Sequence, residues 1–520
     1  MADGLLNKAS IILTPTGYKA GTLYNVAPVV EPYEDFDFAR ASVASRVNSS
    51  GLVEMVGRTL GSELVVNGDF ATDSDWTKGT NTTIEDGKAI LPITSGGMQY
   101  ISSNTANLIS GNTYKITLTV ERTSGTGRLA FTDSSTNNIS GTPLIDSDGD
   151  LVYYFIPTSN INGFGFKRHD VSGNYTWEID NVSVKEVIDT NNIPRISYDS
   201  NGDNGHILLE PTSTNLLPYS EDFEDSSWSN ASIGTTPTLE GGYTAPDGSN
   251  SAYKITNSNQ DSFWYSSSLI GADNSRTIWA RTVSGTGTAQ LTSHNSNTNN
   301  TFNLTETWQR YEVNGTTSGI GSTNFYAVDF RGSGTLTELL IWGAQSEALP
   351  YATSYIPTLT GSTVTRATET ATGAGSATLI NSTEGVLYAE IAALADDGTN
   401  RCIALSDGTA DDRVTLVLAN DSNKIRAIVK SNGSTSFDEE YTVTSTLDYH
   451  KVAIKYKAND FALWIDGVER FTDTSGSAPI GLNELAFDTG ISILNFYGKC
   501  KALAVFNEAL SDSELTQLTT

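Results

Sequence analysis

The chain has 520 residues, with 31 Lys and Arg against 60 Asp and Glu, a net charge of -29. Nucleic-acid phosphates and anionic membranes would repel so acidic a protein, so neither is expected as a partner. No apolar run approaches the ~18 residues of a membrane helix, so we expect no membrane insertion. The first residues lack the basic and apolar parts of a secretory signal, so we expect no export. Cys402 and Cys500 exclude a disulfide scaffold and are expected to be buried free thiols.

The composition is typical of turn-rich antiparallel β-structure. It combines 46 Gly with many Ser, Thr and Asn residues and only 3 Met. The length is sufficient for three or four domains that each bury a core. The sequence therefore predicts an all-β, multidomain array of antiparallel β-sandwiches.

Residues 1–61 mix short apolar runs with Pro and Gly breaks and contain no core-sized hydrophobic set. We expect this N-terminal segment to fold against another part of the chain or to attach the protein to a partner. The turn Asn48-Ser-Ser-Gly51 indicates a pair of short strands. Arg40-Ala-Ser42 is echoed far downstream by Arg366-Ala-Thr368.

Two regions follow a common plan. Residues 62–187 form module 1, whose strands Thr113–Val120 and Leu151–Ile156 alternate polar and apolar residues. Residues 214–358 form module 2. Its Asp222-Phe223 followed by Trp228 matches Asp69-Phe70 followed by Trp76, an internal period of about 150 residues.

Residues 188–213, between the modules, have a different character and are interpreted as connecting strands that continue the N-terminal segment. Strands near Val43–Val56 are expected to pair with Ile193–Leu209, with module 1 inserted between them, because insertions are tolerated at loop tips. A plain linker is the equal alternative.

A linker at 359–375 precedes the last module at 376–520, whose strands are the clearest in the chain. Asp466-Gly467 predicts a hairpin turn. Near the C terminus, Ser511 with Glu514 predicts a capped helix.

Module 1 resembles jelly-roll carbohydrate-binding modules of the cellulose- and xylan-binding type through Val66–Phe70, Trp76 and Ile179–Val184. That resemblance implies that the two ends meet and that Asp180, with Asp69, helps to hold a structural calcium ion. Module 2 is similar through Asp222, Phe223, Trp228 and Trp308–Tyr311, but its closing strand lacks the Asp.

The last module is similar to laminin-G/concanavalin-like lectin domains through Leu463–Val468 and Ala504–Asp512. The sequence around Phe38–Ser42, Leu208–Leu216 and Thr353–Thr358 resembles that of bacteriophage fibre and virion-surface proteins. This resemblance implies a homotrimer on the virion surface, made in the host cytoplasm, bound to other virion proteins through its N-terminal segment and displaying modules toward host surface glycans.

Few residues are candidates for chemistry. Asp146–Asp150 departs from the EF-hand spacing and is interpreted as an acidic turn. Aromatic faces stack on sugar rings, and Trp264, in a cluster without a clean period, is the expected glycan-binding tryptophan. Trp76, Trp228 and Trp308 are expected in the cores.

No catalytic motif emerges, because the four His residues are scattered and no nucleophile elbow is present. The leading hypothesis is a phage virion structural protein, a head or tail fibre, spike or capsid decoration subunit, and not an enzyme. The alternatives are a polysaccharide depolymerase or glycoside hydrolase with accessory binding modules, and a bacterial surface adhesin.

Overall fold

The computed structural model confirms an all-β chain of antiparallel sheets with a short helix near the C terminus. It describes residues 5, 7–25, 34–94, 97–140, 142–170, 173–231, 237–256, 262–265, 274–292, 301–314, 326–330 and 334–520. The chain divides into two units. The composite unit contains Met1–Gly57, Thr190–Thr212 and Arg366–Thr520, and the tandem unit contains Arg58–Asp189 and Ser213–Thr365.

The first segment of the composite unit contains β1 Ala9–Leu13, β2 Tyr18–Lys19, β3 Thr22–Leu23, β4 Phe36–Ala39, β5 Ala44–Val47 and β6 Val53–Val56. Module 1 contains β7 Arg58–Glu63, β8 Trp76–Lys78, β9 Thr83–Glu85, β10 Lys88–Ile93, β11 Tyr100–Ser103, β12 Thr113–Ser124, β13 Leu129–Thr132, β14 Gly149–Phe155, β15 Phe164–Arg168 and β16 Tyr175–Asp189. Between the modules lie β17 Ile196–Ser197 and β18 His206–Leu209.

β19 Ser213–Asn215 precedes module 2, which contains β20 Trp228–Ala231, β21 Thr238–Tyr243, β22 Ala252–Thr256, β23 Ser262–Tyr265, β24 Ser275–Arg281, β25 Gly287–Leu291, β26 Thr301–Leu304, β27 Gln309–Asn314, β28 Tyr326–Asp329 and β29 Glu338–Glu347. β30 Val364–Arg366 follows module 2 and pairs with β19. The last segment contains β31 Thr370–Thr372, β32 Glu384–Ala393, β33 Arg401–Ser406, β34 Arg413–Leu418, β35 Lys424–Ser431, β36 Ser434–Thr442, β37 His450–Lys457, β38 Phe461–Ile465, β39 Val468–Asp473, β40 Glu484–Ala486, β41 Gly498–Phe506 and the helix α1 Asp512–Thr519.

The composite unit is built on two sheets that share one core. The larger runs in the order β17-β18-β41-β32-β37-β38-β39 with β1 added to β41, and the smaller runs β36-β35-β34-β33-β40. In β35 the alternation buries Ile425, Ala427 and Val429 and leaves the intervening side chains half-buried. Asp466 and Gly467 both adopt positive φ between β38 and β39, which confirms the predicted hairpin turn.

Residues far apart in sequence complete this core. β1 pairs with β41, and Ile11 and Leu13 lie in the shared core. β18 pairs with the other end of β41. The N–H of Tyr198 donates to the carbonyl of Val47 at 3.0 Å, but β5 forms its ladder with β6. The N-terminal segment therefore belongs to the same unit as 376–520, and its attachment to a larger assembly stays a prediction.

The outer face of the larger sheet is covered by α1. Leu515 and Leu518 of the helix share a hydrophobic cluster with Ala453 of β37 and Trp464 of β38. The N–H of Ser511 donates to Glu514 Oε2 at 2.9 Å, which confirms the predicted helix start. Within the described part of the chain, no helix is both long and apolar enough to span a membrane.

Module 1 consists of two facing sheets. One runs in the order β14-β12-β16-β10-β9 with β7 on β16, and the other runs β13-β15-β11-β8. In β12, Tyr114, Ile116, Leu118 and Val120 face the core while their neighbours are half-buried. The predicted period-two pattern is thus confirmed for this strand.

Module 2 repeats the arrangement with sheets β21-β22-β29-β24-β27 and β20-β23-β28-β25-β26. Phe70 and Trp76 pack with ring centroids 4.9 Å apart in module 1, and Phe223 and Trp228 lie 5.0 Å apart in module 2. Both indole N–H groups donate to a backbone carbonyl nine residues earlier in the chain. The sequence echo therefore corresponds to one structural motif used twice.

Candidate functional site

The ends of module 1 meet as the resemblance implies, since the N–H of Val182 donates to the carbonyl of Gly68 at 2.8 Å. Asp69 Oδ1 accepts the N–H of Ala71 at 3.4 Å, and Asp180 Oδ1 accepts the N–H of Asn181 at 2.6 Å. Calcium takes six to eight oxygen ligands. Among the described residues, three or more His, Cys, Asp or Glu side chains nowhere converge as metal ligands. Two carboxylates engaged in local turns fit calcium poorly, and the calcium site stays a prediction.

Trp264 lies in β23, opposite Ser229 of β20 and Ala327 of β28. Its side chain lies outside the described residues. The expectation that it binds glycans therefore stays a prediction.

The other tryptophans separate clearly by exposure. The buried ones are Trp76, Trp177, Trp228, Trp279, Trp342 and Trp464. The core positions predicted for Trp76 and Trp228 are therefore confirmed. The same prediction is wrong for Trp308, which is only half-buried. It precedes the edge strand β27, and its indole N–H donates to the exposed Thr244 carbonyl at 3.1 Å, so the ring stays at the surface.

We call Trp308, Arg281, Tyr243, Lys254 and Glu240 the Trp308 surface. The guanidinium of Arg281 lies 5.3 Å from the Trp308 ring centroid. The ammonium of Lys254 lies 5.6 Å from the Tyr243 ring and forms an ion pair with Glu240. The hydrogen bond from Lys254 to Glu240 raises the pKa of the ammonium. A half-exposed aromatic ring bordered by charged hydrogen-bonding groups is a surface suited to a sugar.

The composite unit contains a buried group of charges, here called the ionic cluster. Its members are Arg40, Arg195, Glu210, Arg366 and Glu369, all at most 2% exposed. Arg195 Nε donates to Glu369 Oε1 at 2.9 Å, and its Nη2 donates to Glu210 Oε2 at 2.8 Å. Arg40 Nη1 donates to Glu369 Oε1 at 2.5 Å, and Arg366 pairs with Glu210. The cluster joins the three chain segments of the unit.

The ionic cluster contains three guanidinium groups and two carboxylates. Burial alone would lower the pKa of Arg195, but the attraction of Glu369 and Glu210 outweighs it and raises that pKa. Burial lowers the pKa of Arg40, and Glu369 offsets the effect only in part. The carbonyls of Ser42 and Ser45 accept further guanidinium N–H groups at 2.8 Å. These enclosed groups hold the fold together.

A small cavity lies in the tandem unit between the two modules. Its volume is about 30 Å³, and it is lined by Pro143, Tyr153, Tyr154, Glu221, Asp222, Ser251, Tyr253 and Leu359. Glu221 Oε1 accepts the hydroxyl of Tyr355 at 2.8 Å, and Oε2 accepts that of Ser251 at 3.1 Å. The Tyr153 hydroxyl, 1% exposed as a residue, has no hydrogen-bond partner among the described residues.

We call Glu221, Asp222 and Asp247 the junction cluster. Burial, followed by the charge of Asp247, raises the pKa of Glu221 to about 7. Burial also raises the pKa of Asp222 to about 6 and raises that of Asp247. Glu221 and Asp247 accept hydrogen bonds from hydroxyl groups, whereas Asp222 accepts the backbone N–H of Glu224 and lies near the charges of Asp225 and Glu224. Desolvation without a cation partner favours the protonated forms.

Sequence reasoning missed both clusters, although each had a signal. The echo of Arg40-Ala-Ser42 in Arg366-Ala-Thr368 marks two arginines of the ionic cluster. In the repeated motif, the residue before Asp-Phe is Gly68 in module 1 and Glu221 in module 2. A carboxylate thus replaces a residue whose Cβ would lie 2.0 Å from the Val182 carbonyl oxygen.

By its fold, this chain is a multidomain all-β protein built from antiparallel β-sandwiches. No family model and no curated protein matches the chain. A Ruminococcus gnavus sialidase CBM40 bound to sialyllactose matches with 16% identity over 29% of this chain and 94% of that one, with a TM-score of 0.25. A tandem CBM22 pair from Paenibacillus barcinonensis matches with 13% identity over 55% of this chain and 98% of that one, with a TM-score of 0.19.

A leech intramolecular trans-sialidase matches with 19% identity and a TM-score of 0.24, over 27% of this chain and 23% of that enzyme. This chain therefore spans about a quarter of its length. With TM-scores below 0.5, these likenesses carry no argument about function.

Proposed function

We propose that this chain is a structural, glycan-binding protein of a bacteriophage virion surface. It is attached to other virion proteins through its N-terminal region, forms a homotrimer and displays its modules toward host or surface glycans. The resemblance of Phe38–Ser42 and Leu208–Leu216 to phage fibre proteins supports the virion assignment. We propose binding without catalysis.

The observation that carries glycan binding is the half-exposed indole of Trp308 beside Arg281. The apolar face of a pyranose stacks on an aromatic ring, and a guanidinium donates hydrogen bonds in a fixed fork to sugar or carboxylate oxygens. One such contact is weak. Linking several copies multiplies the affinity by roughly 10²–10⁴, which suits a trimer displayed many times on one particle.

Binding is tested with the intact protein on an array of bacterial surface glycans, comparing wild type with Trp308→Ala. We expect Trp308→Ala to lower the affinity for the bound glycan roughly tenfold, a loss of about 1.4 kcal/mol, because the substitution removes the stacking ring. Tyr441→Ala is the matched control. It removes another half-buried ring, with an arginine 4.2 Å from its centroid, in the composite unit. Equal glycan affinity in wild type and Trp308→Ala would refute the assignment of this surface.

The virion assignment needs separate measurements. Mass spectrometry of purified phage particles is expected to detect the chain, and particle imaging is expected to place it at the surface. Sedimentation of the purified protein is expected to give three copies per assembly. A monomer that is absent from particles would contradict the proposal.

A second candidate, polysaccharide hydrolysis, draws on Glu221, because a carboxyl with a pKa of about 7 is suited to act as a general acid. The cavity beside it has a volume of about 30 Å³, room for one or two water molecules rather than for a sugar ring. We therefore propose binding over hydrolysis. Release of reducing ends from a bound polysaccharide, abolished by Glu221→Gln in a folded protein, would favour the hydrolase.

A further inference from the structure

The antiparallel register of module 2 places the Trp308 surface on one face of a sheet. Glu240 of β21 is paired with Lys254 of β22, and Lys254 is paired in turn with Leu340 of β29. Leu340 is also paired with Arg281 of β24. Directly paired residues of an antiparallel sheet point to the same face. The residues that flank this row along β22, β24 and β29 point the other way, into the core of module 2: Tyr253, Ile255, Ala280, Leu339 and Ile341. The row therefore lies on the outer face of the sheet, and Trp308 closes it beside Arg281 at the edge strand β27.

The two cations of this row differ in how their charge is balanced. Lys254 forms an ion pair with Glu240. Arg281 has no carboxylate within ion-pair distance among the described residues, and its Nη1 donates only to the carbonyls of Thr282 and Glu306, at 3.4 and 3.5 Å. The carboxylate of Glu306 is engaged in a turn, where it accepts a backbone N–H at 2.6 Å. Arg281 is therefore an uncompensated positive charge beside a half-exposed indole, in a chain whose net charge is -29.

We propose that the Trp308 surface selects sugars that carry a carboxylate, such as uronic acids, with the pyranose ring stacked on Trp308 and the carboxylate bound by Arg281. This inference rests on the proposed glycan binding and names the class of sugar. One monosaccharide can reach both groups, because the guanidinium carbon lies 5.3 Å from the centroid of the indole ring. Both hydrogen bonds of the guanidinium use Nη1, and Nη2 has no partner within the described part of the chain. Charge-assisted hydrogen bonds from a guanidinium to a carboxylate are stronger than those to a neutral hydroxyl.

The surrounding charges narrow the class of glycan. The ion pair between Lys254 and Glu240 adds no net charge to the surface, and the net charge of the chain repels a densely charged polymer. A single uncompensated guanidinium therefore fits a glycan with isolated carboxylates better than a heavily sulfated or phosphorylated one. A neutral sugar would gain the stacking on Trp308 but would leave the charge of Arg281 to water.

The test uses the intact protein and a panel of uronic-acid polysaccharides, each paired with the same polymer after reduction of its carboxyl groups to hydroxymethyl groups. Affinities are measured by surface plasmon resonance at about 0.15 M salt, with dextran sulfate as an anionic polymer that lacks carboxylates. We expect an acidic polymer to bind roughly tenfold more tightly than its reduced form, because reduction removes the charge-assisted hydrogen bonds. Arg281→Gln is expected to bind both forms with the wild-type affinity for the reduced form. Trp308→Ala is expected to weaken the binding of both forms.

Arg470→Gln is the matched control. Arg470 also lies against a half-buried ring, that of Tyr441, but in the composite unit, so its loss should leave the preference for the acidic form unchanged. Arg281→Lys keeps the positive charge without the guanidinium fork and keeps the test decisive if Arg281→Gln does not fold. We expect this variant to retain only part of the preference.

The outcomes separate failure of this inference from failure of the proposed glycan binding. Binding that depends on Trp308 but is equal for the acidic and reduced polymers would overturn the inference and leave glycan binding standing. A preference for the acidic form that survives Arg281→Gln, or equally tight binding of dextran sulfate, would also overturn it. Binding of no member of the panel would contradict both.

Discussion

The ionic cluster and the junction cluster hold their carboxylates in opposite ways: those of the ionic cluster are buried, whereas those of the junction cluster are half-buried. In the ionic cluster, Glu210 and Glu369 are bound directly by three arginines. In the junction cluster, Glu221 receives hydroxyl groups and lies near Asp247, with no ion pair among the described residues. A carboxylate that is paired with arginines stays ionised. A carboxylate that is desolvated and meets only neutral donors has a raised pKa and is protonated more readily.

The difference matches what each cluster joins. The ionic cluster connects residues as distant in sequence as Arg40 and Glu369, 329 positions apart, and so holds three segments in one unit. Replacing such a network by apolar residues is often neutral, but removing one partner leaves a charge buried alone. The junction cluster lies between two modules that each have their own core. All three of its carboxylates belong to module 2, beside a cavity that Tyr153 and Tyr154 of module 1 also line.

The largest expected effect is that of Arg195→Met. This change leaves Glu369 without two of its hydrogen bonds and Glu210 without one, so we expect the free energy of unfolding of the composite unit to fall by about 3–5 kcal/mol. Urea unfolding of the intact chain, followed by Trp464 fluorescence, measures the loss.

Arg426→Met is the matched control in the same unit. Arg426 pairs with Asp438, but the two side chains are 39% and 35% exposed. An exposed pair contributes about 0–1 kcal/mol. Similar losses in the two variants would show that burial of the ionic cluster does not set its importance.

An intermediate effect is expected for Asp222→Asn. The folded state raises the pKa of Asp222 from 3.8 to about 6, so it binds the proton more tightly than the unfolded chain, and ionisation destabilises the tandem unit at higher pH. We expect the variant to be more stable than wild type by about 1–2 kcal/mol at about pH 8 and nearly equal at about pH 4. Thermal unfolding at both pH values measures this. Equal stability at the higher pH would show that the junction does not penalise the charge.

Much of the fold could be predicted because it follows from local patterns. The alternation in Thr113–Val120, the turn at Asp466-Gly467 and the helix start at Ser511 are each determined by neighbouring residues, and each is confirmed. The pairing of Ala9–Leu13 with β41 was not predicted. Nothing in a five-residue strand specifies a partner almost 500 positions away, because only the packed core selects it.

The candidate sites were less predictable for the same reason. The core position of Trp228 follows from a repeated motif, whereas the exposure of Trp308 depends on a hydrogen bond to Thr244 across the module. The pKa of Glu221 is raised by desolvation and by the charge of Asp247, and neither effect can be read from the sequence. The sequence contains 60 acidic residues, and its composition offers no means of ranking them as candidate site residues.

The smallest expected effect, that of Arg128→Gln, sharpens the comparison by removing a cation from the junction. Arg128 contacts Asp170 at 3.3 Å and Glu224 of module 2 at 3.4 Å, and its side chain is 30% exposed. Burial raises the pKa of Glu224, and Arg128 opposes that rise. Without Arg128 the ionised form of Glu224 is harder to hold, so we expect a loss of about 0.5–1 kcal/mol at about pH 8 and less at about pH 5. Thermal unfolding of the tandem unit measures both losses.

Lys88→Gln, which breaks a pair with Glu178 within module 1, is the control and should give a small loss that is equal at the two pH values. If both variants respond identically to pH, Arg128 acts as an ordinary surface charge and the junction does not depend on it.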